Sequence, residues 1–286
     1  MATQVDIISN SLALLGHAAI TTLSDPDEIT TAAIQAYDML LPGVLSRNNW
    51  RFAVKIADIY REEYLITSAA LTVVTTGTNS NFSTTEPQTV RFETEGTIPT
   101  STPQIDVTTT YYAVGVTATT FNVYETYQNA INAVSAISFL DGGVGTNKVV
   151  KVANPESAWK SIYPLPTDYL KLIRMYPQNY QFEIYVDKVY ATGDDSYLTL
   201  EYVYQPDATV LPSRFVEYFV YEIAAYLALS NAQRPDYYNV LEAKRQQSFA
   251  MAAAIEAQNR PNYSQASFPV LDSRNVTLLD LPNSLG

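Results

Sequence analysis

The chain has 286 residues, 47% of them hydrophobic and only 16% charged, with 22 tyrosines, no cysteine, one histidine and a net charge of −12. Zero cysteines exclude a disulfide framework or thiolate metal site, and a single histidine leaves too few ligands for an ordinary transition-metal centre. The acidic balance argues against a protein that grips nucleic acid through lysine and arginine, because affinity there comes from displaced phosphate counterions. It suits a wall along which DNA passes without sticking.

At the N-terminus, "VDIISNSLALLG" spaces Val5, Ile8, Leu12 and Leu15 as one helical face and stops at Gly16. "SDPDE" then offers Asp25 as a cap, Pro26 at the first helical position and Glu28 to complete a capping box. The following helix carries Ile29, Ala33, Ala36, Leu40, Val44 and Leu45 on one stripe. Pro42-Gly43 is expected to kink it rather than end it. Beyond Trp50, "RFAVKIADIY" reads as extended.

The composition changes at about Thr67. From there to Val152, Thr, Ser, Val and Asn dominate, in short alternating runs such as "TVRFET", "TYYAVGV" and "TFNVYET". Gly77-Thr78-Asn79, Gly96, Thr117-Ala118-Thr119 and Asp141-Gly142-Gly143 punctuate them, and no lysine occurs between Lys55 and Lys148. This predicts an inserted all-β domain, sandwich or barrel, over 67–152.

After the insert, "FEIYVDKVYA" and "YLTLEYVYQ" alternate and flank Gly193-Asp194-Asp195, which predicts a hairpin turning there. "RFVEYFVYEIAAYLALS" is apolar around most of its circumference and reads as a buried helix. "DYYNVLEAKRQQSFAMAAAIEAQN" reads as an amphipathic helix capped by Asp236. The segment from Arg260 contains three prolines and too many apolar residues for a solvated tail, so an extended docking arm over 260–286 is expected. The fold class expected is α+β: a helical, four-helix domain with a small antiparallel β portion, split into 1–66 and 153–259 by the β insert. No stretch reads as a signal peptide or membrane span.

The residues offer little chemistry. His17 at a helix end reads as a capping or surface residue. "GGVGTNK" at 142–148 lacks the Gly-Lys-Ser/Thr end of a phosphate loop and reads as a hairpin turn. Asp194-Asp195 reads as turn chemistry rather than a cation site. A carboxylate pair for sugar cleavage stays open, since its spacing exists only in three dimensions. Otherwise no catalytic residue, cofactor or metal is expected.

"WKSIYPLPTDYLKLIRMY" followed by "LTLEYVYQPDATVLPSRFVEYFVYEIAAYLALS" resembles the head-to-tail adaptor proteins of short-tailed phages, the tail tubular protein A family. The motif positions are Leu15-Gly16, Trp50 and Phe52, Tyr163, Pro164, Leu165, Pro166 and Asp168, Tyr202, and Leu211, Pro212 and Phe215. They cover 1 to about 65 and about 157 to 258. The insert departs from the simpler members and is similar to a β module of phage virion proteins at Val90–Pro99, Thr110–Val114 and Ala118–Val123. The resemblance implies a structural virion protein at the head–tail junction. Its partners would be copies of itself in a dodecameric ring, the portal, the tail nozzle and DNA as a passenger, with no membrane. Alternatively, the insert holds a tail fibre or host glycan through Tyr111, Tyr112, Tyr124 and Tyr127, because aromatic rings anchor interfaces. Strand alternation sends Tyr111 and Tyr112 to opposite faces, so one of them is expected in the core. A tail-borne polysaccharide hydrolase is the third alternative.

Overall fold

The computed structural model describes residues 2–24, 27–153, 157–230 and 235–258. Two helices open the chain, α1 (Gln4–Leu14) and α2 (Glu28–Arg47). Seven strands follow: β1 (Val54–Tyr60), β2 (Glu63–Ala70), β3 (Val73–Thr76), β4 (Gln88–Thr94), β5 (Ser101–Thr102), β6 (Thr110–Gly115) and β7 (Thr120–Tyr124). After α3 (Tyr127–Asn132) come β8 (Ser138–Phe139), β9 (Asn147–Lys151), β10 (Ser161–Pro164) and β11 (Tyr169–Tyr176). Then β12 (Phe182–Tyr185), β13 (Lys188–Ala191), β14 (Tyr197–Tyr204), α4 (Ser213–Ser230) and α5 (Pro235–Gln258) complete the described elements. The described residues fall into two compact units, one within 2–44, 50–52 and 206–258, the other within 45–49 and 53–205.

The first unit is helical. Thr3 and Asp6 form a capping box at the start of α1. At its end the His17 N–H reaches Leu12 O at 3.1 Å and the Gly16 N–H reaches Ala13 O at 3.0 Å, with Gly16 at φ +81°. That is a Schellman stop, which needs a left-handed residue at Gly16. The proposed Asp25 cap and Pro26 lie outside the described residues; Asp27 accepts from the Ile29 N–H at 3.1 Å, and α2 runs through Pro42 to Arg47. Trp50 is buried against Phe215 at 5.1 Å and Phe249 at 6.0 Å, while Tyr37 meets Phe219 edge-on at 5.3 Å. Between α4 and α5, buried Glu222 takes Tyr218 OH at 3.0 Å and Arg245 Nη1 at 2.8 Å.

The second unit is β. Its insert is a closed antiparallel barrel, ordered β2-β3-β7-β6-β4-β9, rather than a sandwich. Alternation fills it: Val90 and Phe92 of β4, Tyr111 and Ala113 of β6, and Phe121 and Val123 of β7 all point inward. The barrel begins at Glu63, four residues before the Thr-rich composition does, because β2 pairs with β9 from Glu63 to Leu65 and with β3 from Ile66 on. The 142–148 loop is not a hairpin turn. It joins β8, which pairs with β5, to β9, which pairs with β2 and β4.

Outside the barrel stand two three-stranded sheets, β1-β14-β11 and β10-β13-β12. They share a core of Ile59, Tyr163, Met175, Val189, Leu198, Leu200 and Tyr202. This corrects two expectations. The chain is mostly β, with fourteen strands against five α-helices among the described residues, and not a four-helix domain with a small β portion. The physical reason is that the strands over 54–60 and 161–204 have a sandwich core of their own and cluster with the barrel, not with the helices. The hairpin expected at Gly193-Asp194-Asp195 is absent as well. Those residues link β13 to β14, which lie in different sheets. The real hairpin turns at Val186-Asp187, inside what reads as one alternating strand, with Tyr185 opposite Lys188. Gly193 is needed nonetheless, because a Cβ there would lie 2.0 Å from the Tyr180 ring.

Phe121 is fully enclosed in the barrel, so Phe121→Ala should lower the unfolding free energy by about 3–5 kcal/mol in a urea melt.

Candidate assembly surfaces

The motif residues divide between the two units and build cores and turns. In the helical unit Trp50 Nε1 donates to Val44 O at 3.2 Å, and Phe52 packs on Phe215 at 4.9 Å. Leu211 is buried, and exposed Pro212 accepts the Val216 N–H at 2.9 Å in the first turn of α4. In the β unit Tyr163 is fully buried and its hydroxyl donates to Asp195 O at 2.6 Å. Burial pushes its pKa up to about 12. Exposed Pro164 ends β10, half-buried Leu165 joins the sandwich core, and Pro166 O accepts the Tyr169 N–H at 3.1 Å. Asp168 receives the Tyr202 hydroxyl and Lys55 Nζ, each at 2.9 Å.

The four insert tyrosines separate into two pairs. Tyr111 lies in the barrel core, where its hydroxyl oxygen accepts the Asp106 N–H at 2.8 Å and its ring meets Phe92 edge-on at 5.9 Å. Tyr124 is also buried. Half-buried Tyr112 and exposed Tyr127 meet edge-on at 5.7 Å on the outside, with Ile131 and Val134 exposed nearby in sequence.

Asp194 is the residue the sequence undervalued. Its carboxylate takes Arg61 Nη1 at 3.2 Å, Arg91 Nη2 at 2.6 Å and the Ser161 hydroxyl at 2.9 Å. Arg61, only 8% exposed at its side chain, also pairs with Glu63 at 2.9 Å and Glu93 at 2.5 Å. One guanidinium therefore joins β2 and β4 of the barrel to the β13–β14 link of the sandwich. Lys188 of β13 adds a bridge to Glu62 at 3.3 Å. Burial works to raise the Glu63 carboxyl, but hydrogen bonds from Lys148 and Arg61 and their charges outweigh it and hold it below its ordinary value. At Asp194 burial is likewise outweighed, by hydrogen bonds from Arg91 and Ser161 and the two arginine charges.

Among the described residues, three further apolar surfaces stand exposed. The outward face of β1-β14 carries Ile56 and a Tyr60–Tyr197 pair at 5.9 Å. The β12–β13 hairpin exposes Phe182, Tyr185 and Val186, the last 99% exposed at φ +56°. A β-branched residue in that region is strained by about 1–3 kcal/mol. The third is the outer face of α5. Its exposed positions from Tyr237 to Gln258 are Tyr, Val, Met, Ile, Ala, Asn and Gln, and Lys244 is the one charged residue among them. Loss of charge from a solvent-facing helix marks the core of an interface more than a wetted surface.

A 690 Å³ cavity in the helical unit is lined by Leu15, His17, Asp27, Glu28, Leu227 and Tyr237, among others. Exposed His17 and the two acids make no group able to hold a metal among the described residues. No described helix is long and apolar enough to cross a membrane. No protein-family model and no curated protein matches the chain.

Two outcomes follow from these contacts. Glu63 and Asp194 have folded pKa values below their unfolded ones, so their stabilisation is complete above the unfolded values near pH 4 and is lost as pH falls through the lower folded values. Acid unfolding followed by circular dichroism should show that loss, and Asp194→Ala should blunt it while costing about 2 kcal/mol at neutral pH, less than a fully buried pair. Val186→Asn, which tolerates the left-handed region, should stabilise the fold by about 1 kcal/mol in the same melt.

Proposed function

We propose that this is a structural virion protein that assembles into a ring at the head–tail junction, joining portal to tail nozzle and continuing the DNA channel. The observation that carries this reading is the α5 face, which offers a helix-length surface with a single charge in a chain of net charge −12. A solitary subunit of that charge would be expected to spread acids over such a surface. A subunit covered by neighbours keeps it small and uncharged. The acidic balance suits a channel that repels DNA and lets it slide. The order of the adaptor-like motifs supplies the particular site in the particle and the expectation of twelve copies.

A second reading concerns the barrel alone. The Tyr112–Tyr127 pair is an exposed aromatic corner suited to a tail fibre protein or a host glycan. It is compatible with the first, since a ring subunit can carry a fibre.

Mass photometry of the purified full chain, alone and mixed with portal protein, tests the ring. Discrete high-mass species of the chain or a chain–portal complex are expected. A monomer at micromolar concentration that also leaves portal unbound overturns the proposal. Tyr127→Ala should leave that assembly unchanged, and on the second reading particles carrying it should lose fibre attachment or adsorption.

A further inference from the structure

The β12–β13 hairpin and the α5 face are both apolar, and their charges are opposite. Beside exposed Phe182, Tyr185 and Val186 stand Glu183 and Asp187, whose carboxylates have no hydrogen bond or ion pair among the described residues. Lys244, alone on the α5 face, has none either. We propose that the hairpin of one copy docks on the α5 face of the next copy, with Tyr185 and Val186 against Val240 and Met251 and with Glu183 and Asp187 around Lys244. The inference rests on the ring reading and supplies its subunit contact.

Charge decides between the pairings open to these surfaces. Hairpin against hairpin opposes Glu183 and Asp187 to themselves, and α5 against α5 brings two Lys244 together, so each self-pairing is disfavoured. The helical cavity offers the hairpin no better seat, because Asp27 and Glu28 line it. Hairpin on α5 is the attractive combination. It joins two different patches, and repetition of such a contact by rotation closes a ring. It also accounts for Val186. Among the described residues nothing covers this strained, exposed side chain, whereas a docked apolar tip gains by excluding water.

Self-association of the full chain, measured by sedimentation equilibrium, provides the test. Lys244→Glu, and separately Glu183→Lys with Asp187→Lys, should each raise the dissociation constant on the order of tenfold or more. The three positions are exposed and unbonded, so melting temperatures should stay at the wild-type value, which separates lost docking from lost folding. Mixing the two variants, each of which keeps the partner surface the other has lost, should restore association. Wild-type assembly that both variants reproduce unchanged overturns this contact and leaves the ring reading standing, and so does loss without rescue on mixing. A wild-type chain that stays monomeric and binds no portal removes the ring reading itself, and the contact with it.

Discussion

Arg61 holds two β bodies to one another. It sits at the two-residue passage from β1 into β2, where the chain leaves the sandwich and enters the barrel, and its guanidinium is nearly closed off from water. A charge in that position is tolerable only when it is paired, and Glu63, Glu93 and Asp194 supply one carboxylate to each guanidinium nitrogen from three separate segments. Arg91 doubles the bond between β4 and Asp194. Lys151, mostly buried in β9, donates to Ser80 O at 2.9 Å and lies over the Phe82 ring. Geometry of this kind fixes orientation more than it adds stability, because the desolvation of the ions consumes much of their attraction. An inserted barrel that rests on directional bonds moves with the sandwich beneath it.

That rigidity gives the surface features their meaning. A projecting hairpin is useful for docking only if its support is stiff, and β13 is tied down by Lys188 to Glu62 and by Val189 in the sandwich core. The tyrosine-rich composition has the same logic. Of the residues singled out, Tyr111, Tyr124, Tyr163 and Tyr202 bury their rings, and Tyr111, Tyr163 and Tyr202 also use the hydroxyl to satisfy a backbone or carboxylate partner. Others, such as Tyr60, Tyr197 and Tyr127, leave aromatic area on the outside. One residue type thus serves both the cores and the surfaces, which is why a chain with few charges still carries 22 of them.

Particular failures of the sequence reading have identifiable causes. Val186 is a β-former by every propensity, so a turn placed on it is invisible to alternation, and the run 182–191 reads as a single strand. Gly193-Asp194-Asp195 has every feature of a hairpin turn, yet the strands it connects belong to different sheets. The balance of α and β went astray for a related reason. The runs flanking the insert were legible as strands, but nothing in them said that they would pair into two sheets with a core of their own. The proposed docking face was also legible in part. The low charge of "FAMAAAIEAQ" is visible in the sequence, whereas the exposure of that face required the packing of α5 on α4.

The sequence by itself determined the local events. It placed α1 and its glycine stop, the Thr-rich β insert and the inward alternation of its strands, because spacing and turn chemistry act over a few residues. Tertiary structure decided which strands pair, that the insert closes into a barrel, and that Asp194 is an anchor for two arginines instead of an ordinary turn acid. Those outcomes depend on groups far apart in the chain, 133 residues in the case of Arg61 and Asp194. Burial makes an unpaired ion costly and so ties such distant charges to one another, and no pattern local to either residue announces it.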